Sequence, residues 1–353
     1  MHKLFTSSFD ASIYLQQPDQ NAGRDEILEV GKLYYGSAKD IARTLIKFDV
    51  ANMGIPSGSI VYLNLKSSQA EEIPLEYTIH ANAVSQSWTM GTGTKFDNIT
   101  SDGVSWKYRN GVDTWQDNVT AGTAVFTPGT TGSANAEGGT WYTASQASQS
   151  YNYEDADIRI NVTGIVNSWL SGSIPNNGFI VHHGLENEEN ALDYGVLKFF
   201  SKETNTIYEP KLEVVWNDVS FVTGSLLPVT GSAQDDYKVI ITNLKTEYSK
   251  DSKIKIRIKG RDMFPLKSFS TTFEYDQSKY LPTTSYYQLE DYVTDDVIYP
   301  FGEYTKISCD NTSNYFILDL NTLPLYRTYR LKLKIIDGEI STIIDDKLTF
   351  QIV

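Results

Sequence analysis

The sequence predicts an all-β protein built as two successive β-sandwiches, and three observations carry that prediction. The first is composition: 23 Tyr, 15 Phe and 6 Trp stand among many Thr, Ser, Asn and Gly residues. Aromatic and β-branched side chains favour pleated, half-buried surfaces, while Gly and Asn supply the turns between short strands. The second is periodicity, because short runs alternating apolar and polar residues recur along most of the chain. The third is size: 353 residues with 40% hydrophobic content exceed one ordinary core and are enough for two.

The first domain is expected over residues 1–216. Its strands read at 11–16, 43–50, 59–66, 76–83, 158–162, 179–183, 196–201 and 211–216. In RTLIKFDV (43–50), Thr44, Ile46 and Phe48 fall on one side and Leu45, Lys47 and Asp49 on the other, the pattern of a sandwich strand. One segment departs from this period. In VTGIVNSWL (162–170), Val162, Ile165, Val166 and Trp169 recur at helical spacing, and Asn161 or Thr163 can cap the resulting short helix.

A long polar stretch, 88–150, separates the two strand groups of this domain. It is rich in Gly, Thr, Ser and Asn yet contains Trp88, Trp106, Trp115 and Trp141. Linkers do not carry tryptophans, whose rings seek burial, so the stretch reads as long ordered loops with short strands packed over one end of the domain. Loops of this length are often functional.

Gly, Ser and Pro cluster at 217–236, which reads as a linker, and alternation resumes at 237–242, 253–259, 270–275, 315–320, 328–335 and 348–353. In KIKIRIK (253–259), Ile254, Ile256 and Ile258 share one face, and the four cations on the other require solvent or an acidic neighbour. The second domain, 237–353, has the size of an immunoglobulin-like sandwich, without the paired cysteines of antibody domains.

Charge and rare residues narrow the function. Against 44 Asp plus Glu there are 30 Lys plus Arg, a net charge of -14. Such a surface repels phosphate backbones, so nucleic acid is not an expected partner. The lone cysteine, Cys309, excludes an intrachain disulfide framework and a thiolate zinc site. The start, MHKLFTSSFDASIYLQQ, has no continuous apolar core, and no run approaches the ~18 apolar residues of a membrane helix, so neither a signal peptide nor membrane insertion is expected.

Catalytic signatures do not appear. The Gly-x-Ser-x-Gly elbow, the Walker loop and the Rossmann glycine fingerprint are missing, and no cofactor is expected. His182 and His183 are adjacent and point to opposite faces of a strand, so they do not grip one metal together. His80, between Ile79 and Ala81, reads as a structural residue. The acidic loop ENEENALD supplies Glu186, Glu188 and Asp193 as weak candidates for a cation, but it lacks the spacing and glycine of an EF-hand, and a solvated loop is the commoner outcome. Hydrolysis by a carboxylate pair would need a deep cleft, which is a tertiary property. Six aromatics in turn-rich segments, Tyr34, Tyr35, Trp141, Tyr142, Tyr151 and Tyr153, are the candidates for stacking on a glycan or anchoring a protein interface, with core packing as the commoner use of such rings.

Several stretches of the first domain resemble the DNRLRE family. RTLIKFDV (43–50) and IPSGSIVYLNLKS (55–67) are similar to its arginine-led strand, glycine turn and next strand. NVTGIVNSWLSG (161–172) resembles its short tryptophan helix, and FFSKETNTIYEPKLEVVW (199–216) its closing hairpin. The landmarks span roughly residues 10–216 in matching order. The resemblance implies a jelly-roll sandwich related to carbohydrate-binding modules, found in bacterial surface proteins and phage structural proteins. Its landmark residues are structural, so no catalytic residue carries over. The ending, LPLYRTYRLKLKI (323–335) and DDKLTFQIV (345–353), looks like the terminal sandwiches of tailed-phage neck and baseplate proteins. Secreted members of the family carry signal peptides and often adjoin catalytic domains, and neither is expected for this chain. The expected function is therefore a virion component of the neck, tail or baseplate, made in the host cytoplasm, contacting other virion proteins and forming a homo-oligomeric ring. The alternative is a carbohydrate-binding or receptor-binding component with a glycan as partner.

Overall fold

The computed structural model describes residues 1–35, 38–115, 125–126, 137–152, 156–233, 235–264 and 278–353. The chain is almost entirely β, arranged in several antiparallel sheets and dividing into two compact units: one is 4–214, and the other combines 1–3 with 215–353. The expected 270–275 strand and Tyr153 lie outside the described residues, as do the side chains of Tyr35 and Asn152.

The first unit is organised around a large sheet. Among the described residues its strands run in the order Ser67–Glu71, Gly195–Phe200, Ile27–Tyr35, Ala38–Lys47, Phe179–His183, Glu76–Val84, Trp141–Asn152 and Val125–Phe126, with Phe9–Tyr14 also paired to Ala38–Lys47. A smaller sheet orders His2–Thr6, Lys211–Val215, Ile60–Leu65 and Ile158–Asn161. The pairings place Ser12, Thr44, Val181 and Ala81 on one face, and Ile13, Arg43, Leu45, Ile180 and Asn82 on the other.

Both faces are buried at the middle of Ala38–Lys47, a stronger enclosure than a sandwich strand with one mixed face requires. The reason is the tryptophan-bearing stretch. Trp88, Val104, Trp106, Trp115 and Trp141 pack with Ala11, Ile13, Leu45 and Ile180 into one cluster over the Arg43 face. A buried tryptophan removes about 200 Å² from water, or about 5 kcal/mol of gross transfer free energy, which is what these four rings contribute to holding their own turns against the sheet.

Asn21 fastens this layer. Fully buried, it donates from Nδ2 to the carbonyls of Met90 (2.7 Å) and Val104 (2.8 Å), and its Oδ1 accepts the N–H groups of Gly93 (2.8 Å) and Gly23 (3.3 Å). Gly91, at φ +81°, passes so close that a Cβ there would overlap the Asn21 carboxamide. Asn21→Ala leaves these backbone groups without partners, so a stability loss of about 2–4 kcal/mol is expected in guanidinium titration, with proteolytic nicking between residues 90 and 104.

The expected helix is present as Thr163–Leu170. Asn161 Oδ1 accepts the Thr163 N–H (3.1 Å), and Ile165, Val166 and Trp169 form the buried stripe, with Trp169 against Phe179 at 4.6 Å between ring centroids. Trp141–Asn152, read from sequence as part of the loops, is a long strand instead. Its Ser, Gln and Thr residues mask the period, and pairing with Glu76–Val84 imposes the extended form.

In the second unit, one sheet orders Tyr237–Ile241, Lys253–Asp262, Asn314–Asp319 and Ser308–Cys309. The other orders Glu247–Tyr248, Thr349–Ile352, Thr328–Asp337, Ser285–Asp291 and Val297–Tyr299, with Ile340–Ile344 beside Thr328–Asp337. Ile256 and Ile258 are buried as alternation predicts, and the cationic face finds its acidic neighbour in Asp310, 2.7 Å from Lys255 and 3.1 Å from Arg257. Those cations hold the Asp310 carboxyl well below the usual carboxylate range. Much of the segment read as a linker, 217–236, runs along this unit. Val222 N–H donates to the Cys309 carbonyl (3.0 Å), and Val229 N–H to the Tyr280 carbonyl (3.0 Å).

Candidate functional site

The densest polar chemistry of the first unit lies where Phe179–His183 ends and the short Leu185–Glu189 helix begins. Arg43, 2% exposed, sits at its centre. Its Nε and Nη2 donate to Glu188, at 3.1 and 2.5 Å, and its Nη1 donates to the Gly138 carbonyl (2.5 Å). The guanidinium carbon Cζ also lies 4.7 Å from the Trp106 ring centroid and 5.2 Å from that of Trp141. A planar fork with two acceptors and two aromatic neighbours suits arginine and not lysine.

Lys32 makes a second buried cation site beside it. Its ammonium donates to the Asn187 carbonyl (2.6 Å), to Asn190 Oδ1 (2.9 Å) and to the Asn190 carbonyl, and it lies 5.1 Å from the Tyr34 ring and 5.4 Å from that of Tyr194. Burial, followed by Lys39, pulls its pKa below the ordinary lysine value.

Burial disfavours the charged form of the three histidines of this region as well. Burial pushes His182 down to about 3 and His183 to about 4, and it also lowers His80. His182 Nε2 is 3.1 Å from Asn82 Oδ1, and its ring lies 4.6 Å from Trp141. The opposite-face expectation for the adjacent pair holds in the pairing register, since His182 lies opposite His80 and His183 opposite Ile79. His183 is 1% exposed, and among the described residues neither of its ring nitrogens has a hydrogen-bond partner.

The structure distributes the sequence candidates rather than collecting them. Trp141, Tyr142 and Tyr151 are buried on a strand, not displayed on turns, because the register of Trp141–Asn152 turns these rings into packed layers. Trp141 backs Arg43. Tyr151 stacks on Tyr77 at 4.6 Å, and its hydroxyl donates to the Asp157 carbonyl (3.1 Å). Tyr34 is half-buried, its hydroxyl donating to the Asn190 carbonyl (3.0 Å) and its N–H to Asp193 Oδ1 (2.7 Å). Glu188 is committed to Arg43, Asp193 to the Tyr34 backbone, and Glu186 is exposed. Among the described residues, no three His, Cys, Asp or Glu side chains are arranged to hold a metal ion.

Exposed apolar residues on braced loops escaped the sequence reading. Phe96 is 88% exposed and Ile99 74%, on a loop tied down by Thr92 to Asp102 (2.6 Å), Thr94 to Asp97 (2.6 Å) and the Lys95 ammonium to Glu29 (2.7 Å). Val112, 79% exposed, tips the neighbouring turn, where Asn110 Oδ1 accepts the Asp113 N–H (2.7 Å) and Arg109 pairs with Asp113 (2.6 Å). In the second unit Tyr326 is 76% and Tyr292 53% exposed. Their signal in the sequence was single apolar residues inside turn clusters, weaker than the aromatic doublets.

Compared with known protein families and with curated proteins, the sequence matches none.

Proposed function

We propose that this chain is a non-catalytic structural subunit of a tailed-phage virion, placed in the neck, tail or baseplate, with a DNRLRE-like jelly-roll first unit and an immunoglobulin-like second unit. Its work is to hold neighbouring subunits, in a ring of copies and against other virion proteins. One observation carries this reading: the polar groups of the candidate site are largely committed to one another, whereas Phe96, Ile99 and Val112 stand out on braced loops. An apolar tip on a rigid base loses little conformational entropy on docking, which favours a protein interface.

Immunogold labelling with antibodies to this chain tests it. Label is expected at one fixed position on phage particles or on particles partly disassembled by mild denaturant. Particles that carry no label in either form would sink the reading.

Glycan binding is the second reading, favoured by the exposed rings of Tyr326 and Tyr292. It predicts binding on a glycan array that falls at least about tenfold, or about 1.4 kcal/mol, in Tyr326→Ala. A blank array with folded protein removes this reading and leaves assembly.

A further inference from the structure

Among the described residues, the Ile340–Ile344 strand (ISTII) pairs only with Thr328–Asp337, through Leu333 to Asp337. A two-residue hairpin, Gly338–Glu339, joins the two strands, and Gly338 at φ +60° fits the first position of a type II′ turn. The residues closing such a hairpin bond inward, so Ile340, Thr342 and Ile344 face their partner strand's backbone. The N–H and C=O groups of Ser341 and Ile343 then point outward, where no described backbone group meets them.

Among the described residues, this edge differs from the others in being both uncharged and apolar. Natural sheets protect an edge with charge, proline or brevity. Among the described residues, the outermost strands of four residues or more elsewhere each carry a charged side chain, Lys3, Asp10, Glu71, Arg159 and Lys238, while Trp141–Asn152, paired on its outer side only at 141–142, is uncharged there but rich in Ser, Thr and Gln. Ile340–Ile344 has none, and it exposes Ile340 (54%) and Ile343 (58%).

We propose that this strand is a self-association edge: two copies of the chain pair Ile340–Ile344 antiparallel about a two-fold axis through Thr342. The pattern of open groups selects that register. Ser341 of each copy falls opposite Ile343 of the other, and both residues present outward N–H and C=O groups, so each pair exchanges bonds in both directions. Thr342 then meets its own counterpart, a favourable cross-strand pair, and Ile340 is covered by Ile344 of the second copy. Glu339 falls opposite Asp345, whose charge is already met by Arg330 (Nε to Oδ1, 3.1 Å). Isologous pairing of this kind closes on itself and leaves no further edge. The proposal is independent of the virion reading, and its failure leaves that reading standing.

Sedimentation velocity over a wide concentration range is expected to show a reversible monomer–dimer equilibrium. Ser341→Pro, which removes only an outward N–H, and Ile343→Lys should each weaken the dimer at least about tenfold, or about 1.4 kcal/mol, while the melting temperature stays that of the parent. Thr342→Cys should form an intermolecular disulfide under mild oxidation, because a non-hydrogen-bonded antiparallel pair brings the Cα atoms to about 4.5 Å. A parent protein that is monomeric throughout overturns the proposal, as does a dimer that survives both edge variants. A dimer whose Thr342→Cys form does not cross-link overturns the register.

Discussion

Arg43→Ala is expected to destabilise the first unit by about 3–5 kcal/mol, because it leaves the Glu188 carboxylate charged and buried without its partner. Few single changes in the chain should cost more. The substitution also strips the Gly138 carbonyl of its donor and opens space between the Trp106 and Trp141 rings. In a unit of this size the loss corresponds to a fall in melting temperature of about 10 °C. The double change Arg43→Met with Glu188→Leu removes both charges together and should recover much of the stability, since apolar groups of similar volume often replace a buried ion pair at little cost. Chemical denaturation of the four proteins of this cycle gives the coupling directly. A loss below about 1 kcal/mol in Arg43→Ala would mean that water reaches the pair.

Acid should weaken the same unit through its buried histidines. His182 and His183 have folded pKa values of about 3 and 4, against an ordinary value of 6.5. Below pH 6.5 the unfolded chain takes up protons that the folded chain refuses, so the stability these residues contribute is complete above 6.5 and is lost as pH falls toward 4. With two such sites the slope approaches about 2.7 kcal/mol per pH unit. Asp10 works in the opposite sense. Burial raises its carboxyl to about 6, so the folded state holds a proton more tightly there and gains stability as pH falls through that window. Burial raises Asp25 and Asp40 as well. The histidine contribution is isolated by comparison with His183→Met, which puts an apolar group where neither ring nitrogen has a partner among the described residues. The variant should show a shallower acid limb between pH 6.5 and 4, by about 1.4 kcal/mol per pH unit. Parallel curves for the two proteins would count against a buried neutral His183.

What could be read from the sequence follows the range of the interactions involved. KIKIRIK declared its buried face, because a period of two is a local property and three isoleucines express it without ambiguity. The helix at Thr163–Leu170 was legible for the same reason. Trp141–Asn152 was not, since its polar residues imitate a loop and its pairings, from Val84 with Trp141 to Glu76 with Asn152, join residues far apart in the sequence. The tryptophans announced that the stretch carrying them is packed, yet which rings turn inward depends on strand register, and so Trp141, Tyr142 and Tyr151 looked available when they are enclosed. Glu188 was noticed as an acid in an acidic loop. Its partner, Arg43, is 145 residues earlier, and no local pattern joins the two. Lys32 was missed although it interrupts an apolar run in ILEVGKLYY, which is the one trace that such a buried cation leaves in a sequence.

The clustering of tryptophans in the loop layer has a spectroscopic consequence. Of the six in the chain, Trp88, Trp106, Trp115 and Trp141 share one cluster and Trp169 packs on Phe179 in the same unit, leaving Trp216 alone in the other. Intrinsic fluorescence therefore reports almost wholly on residues 4–214, whereas calorimetry weighs both units. The guanidinium of Arg43 lies close to two of the emitting rings, so the emission spectrum is also a direct optical readout of whether that cation is in place.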